Sequence, residues 1–153
     1  LTAAGCGAVI PTVMFARAGI KNRRMGICIG SFMAGFAIIG FAFTSYQFQS
    51  FSLAMVFVFI IGLSSSIYML SAISSIQLNV PHEFRGRIMG IYTITYSIVS
   101  LGGLYSGLVG GYMDRLLDIE HIGVPISIGL GGVIVVIGSV FLYLYNKSLK
   151  TEA

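Results

Sequence analysis

The positive charges of this chain are sorted between its apolar runs, and that sorting constrains the fold more than any other feature. Eight of the nine Lys and Arg residues fall in three clusters: Arg17/Lys21/Arg23/Arg24, Arg85/Arg87 and Lys147/Lys150. These clusters follow the first, third and fifth apolar runs, so in an up-and-down arrangement they share one end. The ninth, Arg115, follows the fourth run and shares its segment with Asp114, Asp118 and Glu120. Packing a water-soluble core makes no such demand. Insertion into a membrane does, because basic loops are retained on the cytoplasmic side.

Composition agrees. Hydrophobic residues make up 56% of the chain and charged residues 9%, against roughly 25% charged in an average soluble domain. The mean hydropathy is +0.94. Too few charges are present to cover a globular surface, so the expected solvent is the lipid bilayer. The net charge of +4 is accounted for by the basic loops and gives no argument for nucleic acid. Cys6 and Cys28 lie inside apolar runs without metal-ligand spacing, and read as small packing residues rather than a disulfide.

The apolar runs cover residues 1–16, 25–44, 51–78, 88–112 and 125–145. The first is short of the roughly 20 residues a membrane helix needs. It lacks the basic start of a signal peptide and contains Pro11, so it reads as a truncated span with sequence expected upstream. None of the runs alternates at period two as a membrane barrel requires. Helices satisfy their own backbone polar groups in lipid, so the expected fold class is all-α, a polytopic transmembrane helix bundle. The loops at 17–24 and 81–87 and the tail are assigned to the cytoplasm. The segments 45–50 and 113–124 face outward, with Tyr46 placed as an interfacial aromatic. No separate soluble domain or linker is visible.

Small residues at i, i+4 let membrane helices approach closely. Gly26/Gly30 form one such pair, and Gly103, Gly107 and Gly111 form two in series, the foremost candidate for a packing seam. Gly102–Gly103 reads alternatively as a flexible point. Gly129, Gly131, Gly132 and Gly138 mark the last run. The second and fifth runs are nearly uniform in apolar and small residues and are expected to face lipid.

No ionisable residue lies in the centre of a span, where proton relays and ion paths would place one. His82 and His121 fall in loops and read as solvated. No metal-ligand cluster, nucleophile–base pair or phosphate-binding glycine loop occurs. No catalytic residue, cofactor or metal ligand is therefore assigned, and an enzyme is not expected. The serine runs Ser64–Ser66 and Ser74–Ser75 lack an accompanying base. Two polar faces remain. Ser64, Tyr68, Ser71 and Ser75 share a face of the third run, and Tyr92, Tyr96 and Ser100 share a face of the fourth. They are candidates for lining a polar cavity; hydrogen bonding to other helices is the alternative. In the segment 81–87, Pro81 suits a helix start and Glu83 suits its dipole. Arg85 and Arg87 can meet headgroups, loop carbonyls or carboxylates. The segment reads as a positive-inside anchor or as a brace for a cytoplasmic gate.

With these residues in place, the chain resembles the C-terminal part of a major facilitator superfamily transporter, similar to bacterial exporters of the enterobactin-exporter and macrolide-efflux type. Residues 79–90 look like the loop between helices ten and eleven. The segment 17–24 sits where the second basic loop of the superfamily lies, between helices eight and nine, and Arg23-Arg24 match its trailing basic pair. The aspartate of the fuller motif is missing, with Ala16 or Ala18 nearby. The resemblance covers essentially the whole chain as helices eight to twelve. It implies a bacterial cytoplasmic membrane, a cytoplasmic C-terminus and a gate role for Arg23, Arg24, Glu83, Arg85 and Arg87. It also implies alternating access by two six-helix halves and, as partners, the missing N-terminal half of the same chain and a small-molecule substrate. Proton-driven efflux of a drug-like or siderophore-like substrate is the leading functional expectation. A non-transporting membrane scaffold or assembly subunit is the alternative.

Overall fold

The computed structural model describes residues 2–18, 23–47, 51–117 and 122–151, apart from the side chains of residues 18, 96, 99, 100, 117 and 146–151. Within them the chain is all-α: α1 (Thr2–Ala18), α2 (Arg23–Gln47), α3 (Phe51–Asn79), α4 (Arg85–Leu117) and α5 (Gly123–Thr151), with a 3-10 turn, His82–Phe84, leading into α4. Among the described residues, three segments are long and apolar enough to cross a membrane: Arg23–Gln47, Phe51–Asn79 and Gly123–Tyr145. The protein is a multi-pass membrane protein with lipid as its principal partner. At about 1.5 Å per residue, α1 with its 17 residues is about 25 Å long, less than the hydrocarbon thickness of roughly 30 Å.

Among the described residues the helices do not form a closed bundle. They pack in the order α1–α3–α2–α5–α4, with α4 touching α3 only lightly. The row follows from where the small residues stand. Gly7 and Gly62 bring α1 against α3, the first facing the Phe59 carbonyl and the second Ala4. Gly26 and Gly30 bring α2 against α3. Gly35 and Gly132 join α2 to α5: a Cβ on Gly132 would stand 2.8 Å from Ile39 Cγ1 and 3.1 Å from the Gly35 carbonyl oxygen. Gly110 and Gly123 bring α4 against the start of α5.

This corrects two expectations. Neither the second nor the fifth run simply faces lipid: α2 is the middle of the row, with Gly30, Gly35, Ala37, Ala42 and Thr44 buried, and α5 lies between α2 and α4 with Ser127 and Ser139 buried. Nor is the series Gly103, Gly107, Gly111 a seam among the described residues, since a Cβ at each would meet none of them within 4 Å.

The buried interior is small and partly polar. Its hydrophobic members are Ala37 and Ala42, and beside them lie Thr44, Ser64, Ser71, Ser127 and Ser139. Large side chains point outward, Leu108 (74% exposed) and Phe141 (68%) among them. In water this would be an inverted protein. In lipid, apolar burial between helices contributes little, and close backbone packing drives association. Several hydroxyls are satisfied locally: Ser31 donates to the Ile27 carbonyl (2.7 Å), Ser64 to Ile60 (2.5 Å) and Ser139 to Val135 (2.7 Å), the back-bonding open to serine within a helix.

Candidate functional site

The two polar faces of the sequence reading are differently placed. On α3, Ser64 and Ser71 are fully buried and lie in the seam with α2. A Cβ on Gly30 would stand 2.8 Å from the Tyr68 amide nitrogen and 3.1 Å from the Ser64 carbonyl oxygen, while Gly26 faces Ser71 Oγ. Ser75 is half-buried and the Tyr68 side chain is 42% exposed. The stripe thus divides: Ser64 and Ser71 face a neighbouring helix, and Tyr68 faces outward. Ser71 Oγ is buried without a hydrogen-bond partner among the described residues.

On α4, Tyr92 is half-buried, and the side chains of Tyr96 and Ser100 lie outside the described residues. Every described side chain from Thr93 to Tyr105 is exposed. The helix is bare all round there: Ile91, Ile94, Ile98 and Tyr105, which share one side by helical spacing, are 64%, 64%, 57% and 46% exposed, and Thr93 and Ser97 on other sides are exposed too. Thr93 and Thr95 bond to carbonyls of their own helix, Met89 at 2.9 Å and Tyr92 at 2.5 Å. On helical spacing, Tyr92, Tyr96 and Ser100 continue into Gly103 and Gly107, so one side of α4 is a single strip of phenols, a hydroxyl and glycines. The polar strips of α3 and α4 are not brought together, because α4 leans on α5 and barely meets α3.

The attachment of α4 to α5 lies near the hairpin that joins them. Ser106 and Ser127 hydroxyls are 3.2 Å apart, and Ser127 also donates to the Ser106 carbonyl at 3.2 Å. Asp114 Oδ1 accepts the backbone N–H groups of Ile122 (3.1 Å) and Gly123 (2.6 Å). It therefore caps the start of α5, where a carboxylate is favoured by unsatisfied amides and by the dipole. Sequence reading placed Asp114 only in an outward acidic loop. Its capping role crosses a hairpin and leaves no local spacing signal. The Ser106–Ser127 pair was missed for the same reason.

The gate candidates occupy two places. Pro81 (φ −54°, ψ 146°) precedes the 3-10 turn, whose first bond runs from Phe84 N–H to the Pro81 carbonyl at 3.0 Å. Arg85, half-buried, donates from Nε to the Val80 carbonyl at 3.2 Å, so this arginine ties α4 to the end of α3. Glu83 and Arg87 are exposed. Arg24 is exposed, whereas Arg23 is half-buried with its Nε enclosed and unpartnered among the described residues. No hydrogen bond or ion pair joins Arg23 or Arg24 to Glu83, Arg85 or Arg87 among the described residues.

No family model matches the chain, and no curated protein or solved structure matches it either. The geometry itself is a row of helices, three of them long and apolar enough to cross a membrane among the described residues, joined by small-residue seams, with the exposed stretch of α4 at one end of the row.

Proposed function

We propose that this chain forms one flank of a small-molecule transporter of the major facilitator type, working by alternating access and exporting its substrate on the proton gradient. The observation that carries the reading is the bare middle of α4. A helix that leaves Ser97 and Tyr105 exposed, beside Thr93 and Thr95 whose hydroxyls bond within the helix, has polar groups to place, and in lipid such groups turn toward another helix or a water-filled path. An open row is also the shape of an incomplete bundle, and a second set of helices closing it would enclose the α4 strip near mid-membrane. Midplane cavities at the meeting of two helical repeats are where such transporters bind substrate. The charge pattern supports the same frame, with the ends of α1, α3 and α5 and the C-terminus cytoplasmic.

The test is a cysteine scan of α4 in the complete protein, after replacing the free Cys6 and Cys28. Single cysteines at Tyr92, Thr93, Ile94, Ser97 and Ile98 are exposed to a water-soluble thiol reagent in membrane vesicles, with and without a proton gradient. A water-filled path gives labelling at Tyr92, Thr93 and Ser97, sparing of Ile94 and Ile98, and a change of rate with the gradient. Protection of the whole strip, unaltered by the gradient, overturns the transport reading. It would favour the scaffold alternative, in which the strip is covered by a stable partner subunit.

A further inference from the structure

The row of helices holds a second feature, at the end where the basic residues gather. The C-terminal half of α1, the start of α2 and the end of α3 line an open cleft of about 330 Å³. Its walls are apolar where Phe15, Leu70 and Leu78 stand, and its polar groups are Thr12, Ser74 and Arg23. The Thr12 hydroxyl is committed as a donor to the Ala8 carbonyl at 2.8 Å, leaving Ser74 and Arg23 to donate. Arg23 Nε is enclosed and bonded to nothing among the described residues. A guanidinium is always charged and has no acceptor capacity. An enclosed donor of a charged group that goes unpaired is costly, so this atom marks a missing acceptor. Among the described residues no carboxylate lines the cleft.

We infer that this cleft binds the phosphate of an anionic phospholipid, with Arg23 and Ser74 donating to the phosphate and the start of an acyl chain lying along Phe15, Leu70 and Leu78. The pairing of one charged donor with apolar walls selects an amphipathic anion over a free one. Arg fits phosphate geometry better than any other side chain, and the first turn of the 25-residue α2 adds positive partial charge. The leaflet beside the basic end of a membrane protein is the cytoplasmic one, which carries the anionic lipids. The size agrees: at about 30 Å³ per water, the cleft has room for roughly ten waters, enough for a headgroup and the first methylenes. The inference rests on membrane location alone. It holds whether or not the protein transports anything.

The experiment is lipid retention by the complete protein, exchanged into detergent micelles doped with phosphatidylglycerol or phosphatidylcholine and weighed intact by mass spectrometry. Three variants separate a built site from a charged surface. Arg23→Gln removes the enclosed donor. Arg24→Gln removes the same charge from the exposed neighbour. Ala16→Leu fills the cleft, which Ala16 also lines, with no change of charge. The expected result is about a tenfold loss of bound phosphatidylglycerol for Arg23→Gln and for Ala16→Leu, against less than about twofold for Arg24→Gln. Equal losses in the two arginine variants would mean surface charge alone and would overturn the inference. So would full retention in Ala16→Leu, which decides the matter even where Arg23→Gln fails to fold. Displacement of the lipid by millimolar inorganic phosphate, with equal occupancy, would assign the site to a soluble anion instead and reject the lipid.

Discussion

Asp114 reaches across the α4–α5 hairpin to Gly123: its Oδ1 accepts the Gly123 N–H at 2.6 Å and the Ile122 N–H at 3.1 Å. One carboxylate at the end of a helix thus closes the start of the next. Gly110 and Gly123 are in backbone contact in the same hairpin, so the cap acts where the helices are closest. Replacing the carboxylate by a methyl leaves two amides at the α5 start without an acceptor. Loss of an N-cap costs about 1 kcal/mol, with a range of roughly 0.5–2. Asp114→Ala is therefore expected to lower stability by about 1 kcal/mol, and Asp114→Asn, which keeps an oxygen but not the charge, by less. Unfolding of the purified protein by titration with a denaturing detergent measures both. Equal losses in the two variants would show that charge, not the acceptor oxygen, is what matters there.

The two glycine series should respond oppositely to the same substitution. Gly30→Ala places a methyl 2.8 Å from the Tyr68 amide nitrogen and forces α2 and α3 apart. Overpacking of this kind costs about 1–3 kcal/mol. Gly107→Ala adds a methyl where nothing stands within 4 Å, and exchanging glycine for alanine inside a helix stabilises by roughly 0.5–1 kcal/mol. Thermal unfolding in one detergent gives both values. A large loss at Gly107 would reveal a partner helix seated on the α4 strip.

The hydroxyl pair between α4 and α5 makes a further case. Ser106 and Ser127 are 3.2 Å apart and Ser127 is buried, with additional bonds to the Ser106 and Val124 carbonyls. Interhelical hydrogen bonds in membranes average about 0.6 kcal/mol in double-mutant cycles. Ser106→Ala, Ser127→Ala and the double variant are expected to yield a coupling of that size. A coupling of zero would mean that the helices are held there by the Gly110–Gly123 contact alone.

How much of this was legible beforehand follows from what each signal encodes. The helices α2, α3 and α5 were readable because an uninterrupted apolar run long enough to span lipid has few other outcomes. The place of α2 in the middle of the row was not. In lipid the buried and lipid-facing sides of a helix are both apolar, so hydrophobicity does not separate them. Side-chain size does, and Gly30, Gly35, Ala37 and Ala42 were the signal. Spacing showed that Gly26/Gly30 and Gly103/Gly107/Gly111 each formed a strip, but not which strip had a neighbour, because the neighbour lies elsewhere in the sequence. The same limit hid Asp114, whose partners are eight and nine residues away, beyond the span of a local capping pattern. The cleft at Arg23 was hidden too. Its lining comes from α1, α2 and α3 together, and sequence position alone presented Arg23 and Arg24 as equals.

Ser71 offers the sharpest contrast between packing and function. It belongs to the polar stripe of α3, yet it is fully buried against Gly26 and its Oγ has no partner among the described residues. A buried hydroxyl left unbonded costs about 1–3 kcal/mol. Removing it should therefore help: Ser71→Ala is expected to hold or raise stability by about 1 kcal/mol, since the methyl keeps the contact and drops the polar atom. Ser64→Ala, which gives up a bond to the Ile60 carbonyl, should be near neutral, because that bond only replaces what the helix already satisfies. Under the proposed transport function, uptake by the Ser71→Ala protein then separates the two roles. Unchanged uptake into inverted vesicles, with raised stability, assigns Ser71 to the α2–α3 seam. A several-fold loss of uptake at unchanged or raised stability would mean that Ser71 turns toward a cavity in another state of the protein, and that the α2–α3 seam opens during the cycle.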